Sequence, residues 1–181
     1  IAGMLAANVN NGAGGASMNW PGRVLAVRVA AKCGADVADI VDGIRWVAGL
    51  AVCLRSDASG NCLELSSELP APRARVINIS FGGDGACSSE YQPAIDAARA
   101  RGVVIVAAAG NGTAGNNGTD NDAVPFYPAN YGAPNVVAVA ATDNRDQLWS
   151  FSNYGPTTVA LGAPGVSVAS TLPNNGYGYM S

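Results

Sequence analysis

Two stretches of the chain carry the residue types most suited to chemistry, Ser80-Phe81-Gly82-Gly83 and Gly110-Asn111-Gly112. Each closes an apolar run, residues 76–80 (VINIS) and 103–109 (VVIVAAA). Ligands of open parallel sheets bind beyond the carboxyl ends of the strands. If the two runs are neighbouring strands, both ends face one crevice. Glycines there let another backbone approach closely, and an asparagine between glycines can aim its amide into the same space. Position alone would make Asn111 a turn residue tolerant of left-handed backbone, and Gly82-Gly83 an ordinary turn. Their joint placement is what points to a site.

What the chain lacks is equally informative. It contains no histidine, which excludes a Ser-His-Asp triad, a Cys-His dyad and a His-ligated metal within these residues. Any hydrolytic mechanism would take its base from sequence outside them. Cys33, Cys53, Cys62 and Cys87 show no C-x-x-C spacing, so zinc would need all four thiolates. Free buried thiols are an alternative, but two disulfides in an oxidising compartment fit better. Residues 53–62 (CLRSDASGNC) form a polar, glycine-containing loop that a local Cys53–Cys62 bridge would close. Cys33 would then pair with Cys87.

The elements that must position these residues follow from hydrophobic patterning. Residues 24–30 (VLAVRVA), 76–80, 103–109 and 136–141 (VVAVAA) are nearly continuous apolar runs rich in β-branched side chains. Such runs suit parallel strands covered on both faces. Across residues 36–47, Val37, Ile40, Ile44 and Val47 recur at helical spacing. A second helix is predicted from Ser89, which would cap it with Gln92 completing a capping box. Tyr91, Ile95 and Ala98 would face inward, Arg99 and Arg101 suit the last turn, and Gly102 would stop the helix. Strand, helix, strand is a βαβ unit. The predicted fold class is α/β, a mainly parallel β-sheet with helices on both faces, in a single domain over 1–181, which the family resemblance described below implies is incomplete at both ends. Residues 8–21, 110–134 and 153–164 are loops crowded with Gly, Asn and Pro. Within the first, residues 11–16 (NGAGGA) make a poor phosphate loop, because no strand precedes them and no Lys-Ser/Thr follows. A nucleotide-binding domain is disfavoured accordingly.

Composition narrows the partners. Of 181 residues, 49% are hydrophobic and 13% charged, which describes a globular chain rather than a disordered one. A net charge of −3 offers no basic footprint for nucleic acid. No apolar run approaches the ~20 residues of a membrane-spanning helix. The chain opens on Ile1 without a signal-peptide pattern, so the sequence reads as a fragment or a processed product.

Five segments, in order, resemble the subtilisin-like serine proteases (subtilases), and the likeness runs over essentially the whole chain. Residues 78–83 (NISFGG) look like that family's strand before its double glycine, and residues 103–111 (VVIVAAAGN) like the segment ending in its oxyanion-hole asparagine. Tyr127-Pro128-Ala129 is similar to its Tyr-Pro-Ala turn, with Tyr127-Pro128 a candidate cis peptide. Residues 150–155 (SFSNYG) match its Ser-Phe-Ser-x-x-Gly segment, and Ala163-Pro164-Gly165 with Ser170-Thr171 its approach to the nucleophile. Ile1-Ala2-Gly3 looks like the continuation of the helix that carries the catalytic histidine. Tyr179-Met180-Ser181 resembles the lead into the nucleophilic serine. The resemblance thus implies that the triad lies outside the chain and that the chain alone is inactive.

Residue by residue, the resemblance implies that Asn111 donates to the oxyanion of the tetrahedral intermediate. Ser80, Phe81 and Gly82 would pair with the substrate backbone as an added strand. Ala108, Ala109 and Gly110 would line the primary specificity pocket, with Phe126 at its floor or packed in the core, implying a broad preference for apolar or aromatic side chains. Residues 9–15 look like the family's calcium loop, in which Asn11 would supply a side-chain oxygen to a structural Ca2+, with carbonyls from Val9, Ala13 and Gly15 and an acidic ligand from sequence outside the chain. Residues 120–122 (DND) read as a solvated loop tip. Compared with the simplest subtilases, the chain has an insertion around residues 53–70 and a longer loop between Asn111 and Tyr127. The expectation is a secreted, monomeric serine endopeptidase acting on polypeptides, with no organic cofactor. The alternative is a subtilase-like binding or passenger domain without catalysis.

Overall fold

A computed structural model describes residues 1–20, 22–32, 34–84, 88–112 and 117–181. In chain order the elements are α1 (Ala2–Ala6), β1 (Ala30–Ala31), β2 (Gly34–Ala35), α2 (Val37–Val47), β3 (Cys53–Ser56), β4 (Cys62–Leu65), β5 (Val76–Ile79) and β6 (Gly83–Asp84). There follow α3 (Tyr91–Ala100), β7 (Val104–Ala108), β8 (Phe126–Tyr127), β9 (Val136–Thr142), β10 (Leu161–Pro164), β11 (Val168–Leu172) and β12 (Gly176–Met180).

The centre is a four-stranded sheet in the order β10-β9-β7-β5, parallel throughout. Three of its strands are the apolar runs predicted at 76–80, 103–109 and 136–141. Pleating sends Ile79, Ile105, Ala107 and Ala138 to one face, where all are buried. That face carries α2 and α3, which contribute Ile40, Ile44, Tyr91, Ala94, Ile95 and Ala98 to a single core. Alanines at 94 and 98 are fully buried; they let α3 lie close to its neighbours. The fold is α/β, as expected. No helix among the described residues is long and apolar enough to cross a membrane.

Helix α2 follows its predicted pattern. Asp36 caps it with an extended backbone, its carboxylate accepting from Ala38 N–H at 2.8 Å, and Ile40, Ile44 and Val47 are buried. Helix α3 buries the predicted face, and Gly102 ends it at φ +70°. Its predicted capping box is absent. Glu90 takes the cap position with helical backbone and no side-chain cap bond, whereas a capping residue needs extended backbone. Ser88, not Ser89, accepts from Glu90 N–H, and Gln92 donates instead to Asp96.

The run at 24–30 departs from expectation. Residues 22–29 form no strand, and only Ala30 enters a short antiparallel pair with β2. Val27 and Val29 lie instead over α2, where Gly43 has no side chain; a Cβ there would come within 2.8 Å of Val29 Cγ1. Val24, Leu25 and Val27 stay exposed. Apolar β-branched character predicted a strand here, but the segment's contacts are with a helix rather than a ladder.

Cys53 and Cys62 are joined, with a Cα–Cα distance of 5.6 Å, across the β3-β4 hairpin. The companion Cys33–Cys87 pairing lies outside the described residues. The closed loop is short, so replacing Cys53 and Cys62 by Ser is expected to lose at most about 2–3 kcal/mol. Ile105→Ala in the core is expected to lose about 2–5 kcal/mol. Urea unfolding of the variants checks both, and a larger loss for the hairpin than for the core would contradict this ranking.

Candidate active site

The register of β5 on β7 places Ile79 opposite Ala107. Ser80-Phe81-Gly82 and Ala108-Ala109-Gly110 therefore leave the sheet side by side from its carboxyl edge, the condition the sequence left open. Asn78 Nδ2 donates to Ser80 Oγ at 2.8 Å. Beyond the double glycine, β6 pairs antiparallel with β8, Gly83 facing Tyr127 and Asp84 facing Phe126.

Phe126 occupies the space between the two strand ends. A Cβ on Gly82 would collide with Phe126 Cε1 and the Tyr127 carbonyl, and one on Gly110 would lie 2.8 Å from Phe126 Cγ and Cδ2. The ring thus bears on both glycines, together with the Tyr127 carbonyl at Gly82 and Asn153 Nδ2, 2.7 Å away, at Gly110. The ring also packs against buried Ala107, Ala129 and Ala138, so Phe126 fills the crevice and the core beneath it together. Ala109 is buried and Ala108 half-buried.

Asn111 sits exposed at the lip. Its backbone is fixed by the segment predicted as Ser-Phe-Ser-x-x-Gly: Asn111 and Ser152 form an antiparallel bridge, and Gly112 N–H donates to the Phe151 carbonyl at 2.9 Å. Asn153 N–H donates to the Gly110 carbonyl at 2.9 Å. The Tyr127–Pro128 peptide is cis, as the resemblance implied. Tyr127, Tyr131 and Tyr91 pack in sequence as tilted ring pairs, with centroids 4.9 and 5.5 Å apart, and dock this turn onto α3.

Sequence reasoning missed Asn121. Residues 120–122 were expected to be a solvated tip, yet Asn121 is 0% exposed and donates to the Ala109 carbonyl at 2.8 Å. Asp122 beside it does face solvent. Its carboxylate accepts from the backbone N–H groups of Thr157 and Thr158 and from the Thr158 hydroxyl, and the Thr158 hydroxyl above all holds its pKa below the ordinary 3.8. An Asp-Asn-Asp string has no hydrophobic period, so nothing in its pattern announced a buried middle residue.

Asn11 is exposed, and its Oδ1 accepts from Ala13 N–H at 3.1 Å. It borders a cavity of about 400 Å³ between α1, the 8–15 loop and Tyr177. Calcium takes about six to eight oxygens, several usually from carboxylates. This loop supplies neutral oxygens only, and no cluster of three acidic, Cys or His ligands occurs among the described residues. The acidic ligand that the resemblance implies would come from sequence outside the chain, and no step below runs through a metal.

Paired parallel strand ends, glycines bared to a shared ring and an asparagine at the lip define a class. The chain belongs to the subtilase family, whose family model matches residues 1–181. It is 40% identical over 174 residues to an extracellular protease of Xanthomonas campestris pv. campestris, covering 95% of this chain and 26% of that protein. A thermophilic serine proteinase of Bacillus sp. (strain AK1) is 40% identical over 183 residues, covering 100% of this chain and 37% of that one. Among solved structures, a protease from Pseudoalteromonas arctica PAMC 21717 superposes with a TM-score of 0.80 at 36% identity, covering 99% of this chain and 51% of that chain. The chain thus spans about a quarter to a half of these relatives' length.

Two outcomes follow from the geometry. Gly110→Ala meets both a left-handed backbone, φ +100°, and the Phe126 ring, so a loss of about 2–4 kcal/mol is expected; pairing it with Phe126→Ala should return the part owed to the ring, read by thermal unfolding. For Asp122 the folded pKa is depressed, so its stabilising contribution is present above the ordinary carboxylate pKa and is lost as pH falls through the folded value. Asp122→Asn should flatten the acid side of a plot of Tm against pH.

Proposed function

We propose that the full-length protein is a secreted serine endopeptidase that cleaves polypeptides through an acyl-enzyme. Its histidine, aspartate and nucleophilic serine would come from sequence beyond this chain. The reading is supported by family membership together with one observation, the exposed Asn111 at the junction of two neighbouring strand ends. The names of relatives, an extracellular protease and an extracellular basic protease, support secretion.

In this reading Asn111 Nδ2–H stabilises the oxyanion of the tetrahedral intermediate. Such a donor contributes most in a site that excludes water and is held in place before reaction begins. The substrate backbone lies along Ser80-Phe81-Gly82 as an added strand, where glycine leaves room for it. The side chain preceding the cleaved bond enters between Gly82 and Gly110. Phe126 lies against both glycines and shortens that space, so the preference is for short apolar side chains, narrower than the broad apolar or aromatic preference the sequence suggested.

Asn111→Ala in the full-length protein is expected to lower kcat about 10²–10³-fold, a magnitude known from subtilisin itself. An unchanged kcat would sink the assignment of Asn111, whereas no measurable turnover by the unmutated full-length protein would favour a binding domain without catalysis. Phe126→Ala is expected to raise kcat/KM for phenylalanine at the cleaved position about 10–100-fold relative to alanine there. A paired set of fluorogenic peptides reads this ratio, and no shift in it would remove Phe126 from the pocket.

A further inference from the structure

Gly110 adopts φ +100°, a conformation open to glycine and rarely to other residues. The freedom that permits it leaves the two flanking peptide planes unconstrained by local chemistry. Those planes set the direction of the Asn111 Cα–Cβ bond. Both are held from outside. In the plane before Gly110, the Ala109 carbonyl accepts from Asn121 Nδ2 at 2.8 Å. In the plane after it, the Gly110 carbonyl accepts from Asn153 N–H at 2.9 Å.

These two asparagines are themselves linked. Asn153, 1% exposed, donates its Nδ2–H to Asn121 Oδ1 at 3.1 Å and accepts on Oδ1 from Thr119 N–H at 2.9 Å. The Asn121 carbonyl accepts from Asn130 Nδ2 at 2.7 Å, and Asn130 Oδ1 accepts from Phe126 N–H at 2.9 Å. One chain of amides therefore runs from the backbone of the crevice-filling Phe126 to both carbonyls around Gly110. A leucine at 121 would keep the same branched four-atom skeleton, with more bulk. Only an amide supplies direction at both its ends, and a buried network satisfied throughout specifies a single arrangement.

We propose that Asn121 and Asn153 are positioning residues for Asn111: by fixing the peptide planes on either side of Gly110 they aim its amide, without touching substrate. This rests on the reading of Asn111 as the oxyanion donor. A purely structural pair would lower stability and would slow the reaction by the same factor whether or not Asn111 is present. A positioning pair would act only through it.

The test is a double-mutant cycle in the full-length protein. Asn121→Leu is expected to lower kcat about 10–100-fold, the cost of a small misplacement, with KM changed less than about threefold. In the Asn111→Ala background the same substitution should change kcat less than about threefold. Equal factors in the two backgrounds overturn the inference and leave the oxyanion assignment standing. An Asn111→Ala variant with unaltered kcat overturns that assignment and the inference with it. Should Asn121→Leu fail to fold, Asn130→Asp enters the same cycle. It is half-buried, keeps the acceptor for Phe126 N–H and loses the donor to the Asn121 carbonyl, and the same comparison of factors decides.

Discussion

Everything at the crevice depends on the direct parallel pairing of β5 with β7. With Ile79 set opposite Ala107, two strand ends emerge together, and neither can move without breaking a buried ladder beneath it. Hydrophobic burial supplies the rigidity: Ile79 and Ile105 face a core shared with α2 and α3, and Ala107 packs with Ala129, Ala138 and Phe126. Parallel strands need a crossover between them, and α3 provides it while sealing the sheet. The loops above can then be irregular, because the platform they rise from is not.

At the lip the interactions change character, from dispersion to directed hydrogen bonds. Glycine is needed at 82 and 110 to admit the Phe126 ring, and glycine by itself specifies little. Order returns through side-chain amides at 121, 130 and 153 and through backbone bonds to Phe151 and Gly110. Space is created by the smallest residue, occupied by a large one and locked by polar ones. Each step makes the next necessary.

Much of this was legible in the sequence because it is periodic or local. The runs at 76–80, 103–109 and 136–141 announced their strands, and Val37, Ile40, Ile44 and Val47 announced a helix. The Cys53–Cys62 loop announced its own bridge. The run at 24–30 misled because β-branched apolar composition marks extended chain, not the partner it lies against. The α3 cap misled because the cap position falls to Glu90, whose backbone has already turned helical. Asn121 was invisible for a deeper reason. Its partners at Ala109, Asn130 and Asn153 come from three separate loops, and a short polar string gives no sign of which member will be swallowed.

The β3-β4 hairpin carries a consequence of another kind. Its base is pinched shut, Ser66 N–H donating to the Val52 carbonyl at 2.8 Å and Val52 N–H to Ser66 Oγ at 3.0 Å. The chain thus leaves and re-enters the body at one point. Immediately beyond, Trp46 Nε1 donates to the Glu68 carbonyl and Ala74 N–H to the Val47 carbonyl, tying the return path to α2. Topologically the hairpin is an excisable appendage: joining Val52 to Ser66 would shorten the chain without re-routing it. Its length is therefore uncoupled from the β5 and β7 ends that frame the crevice.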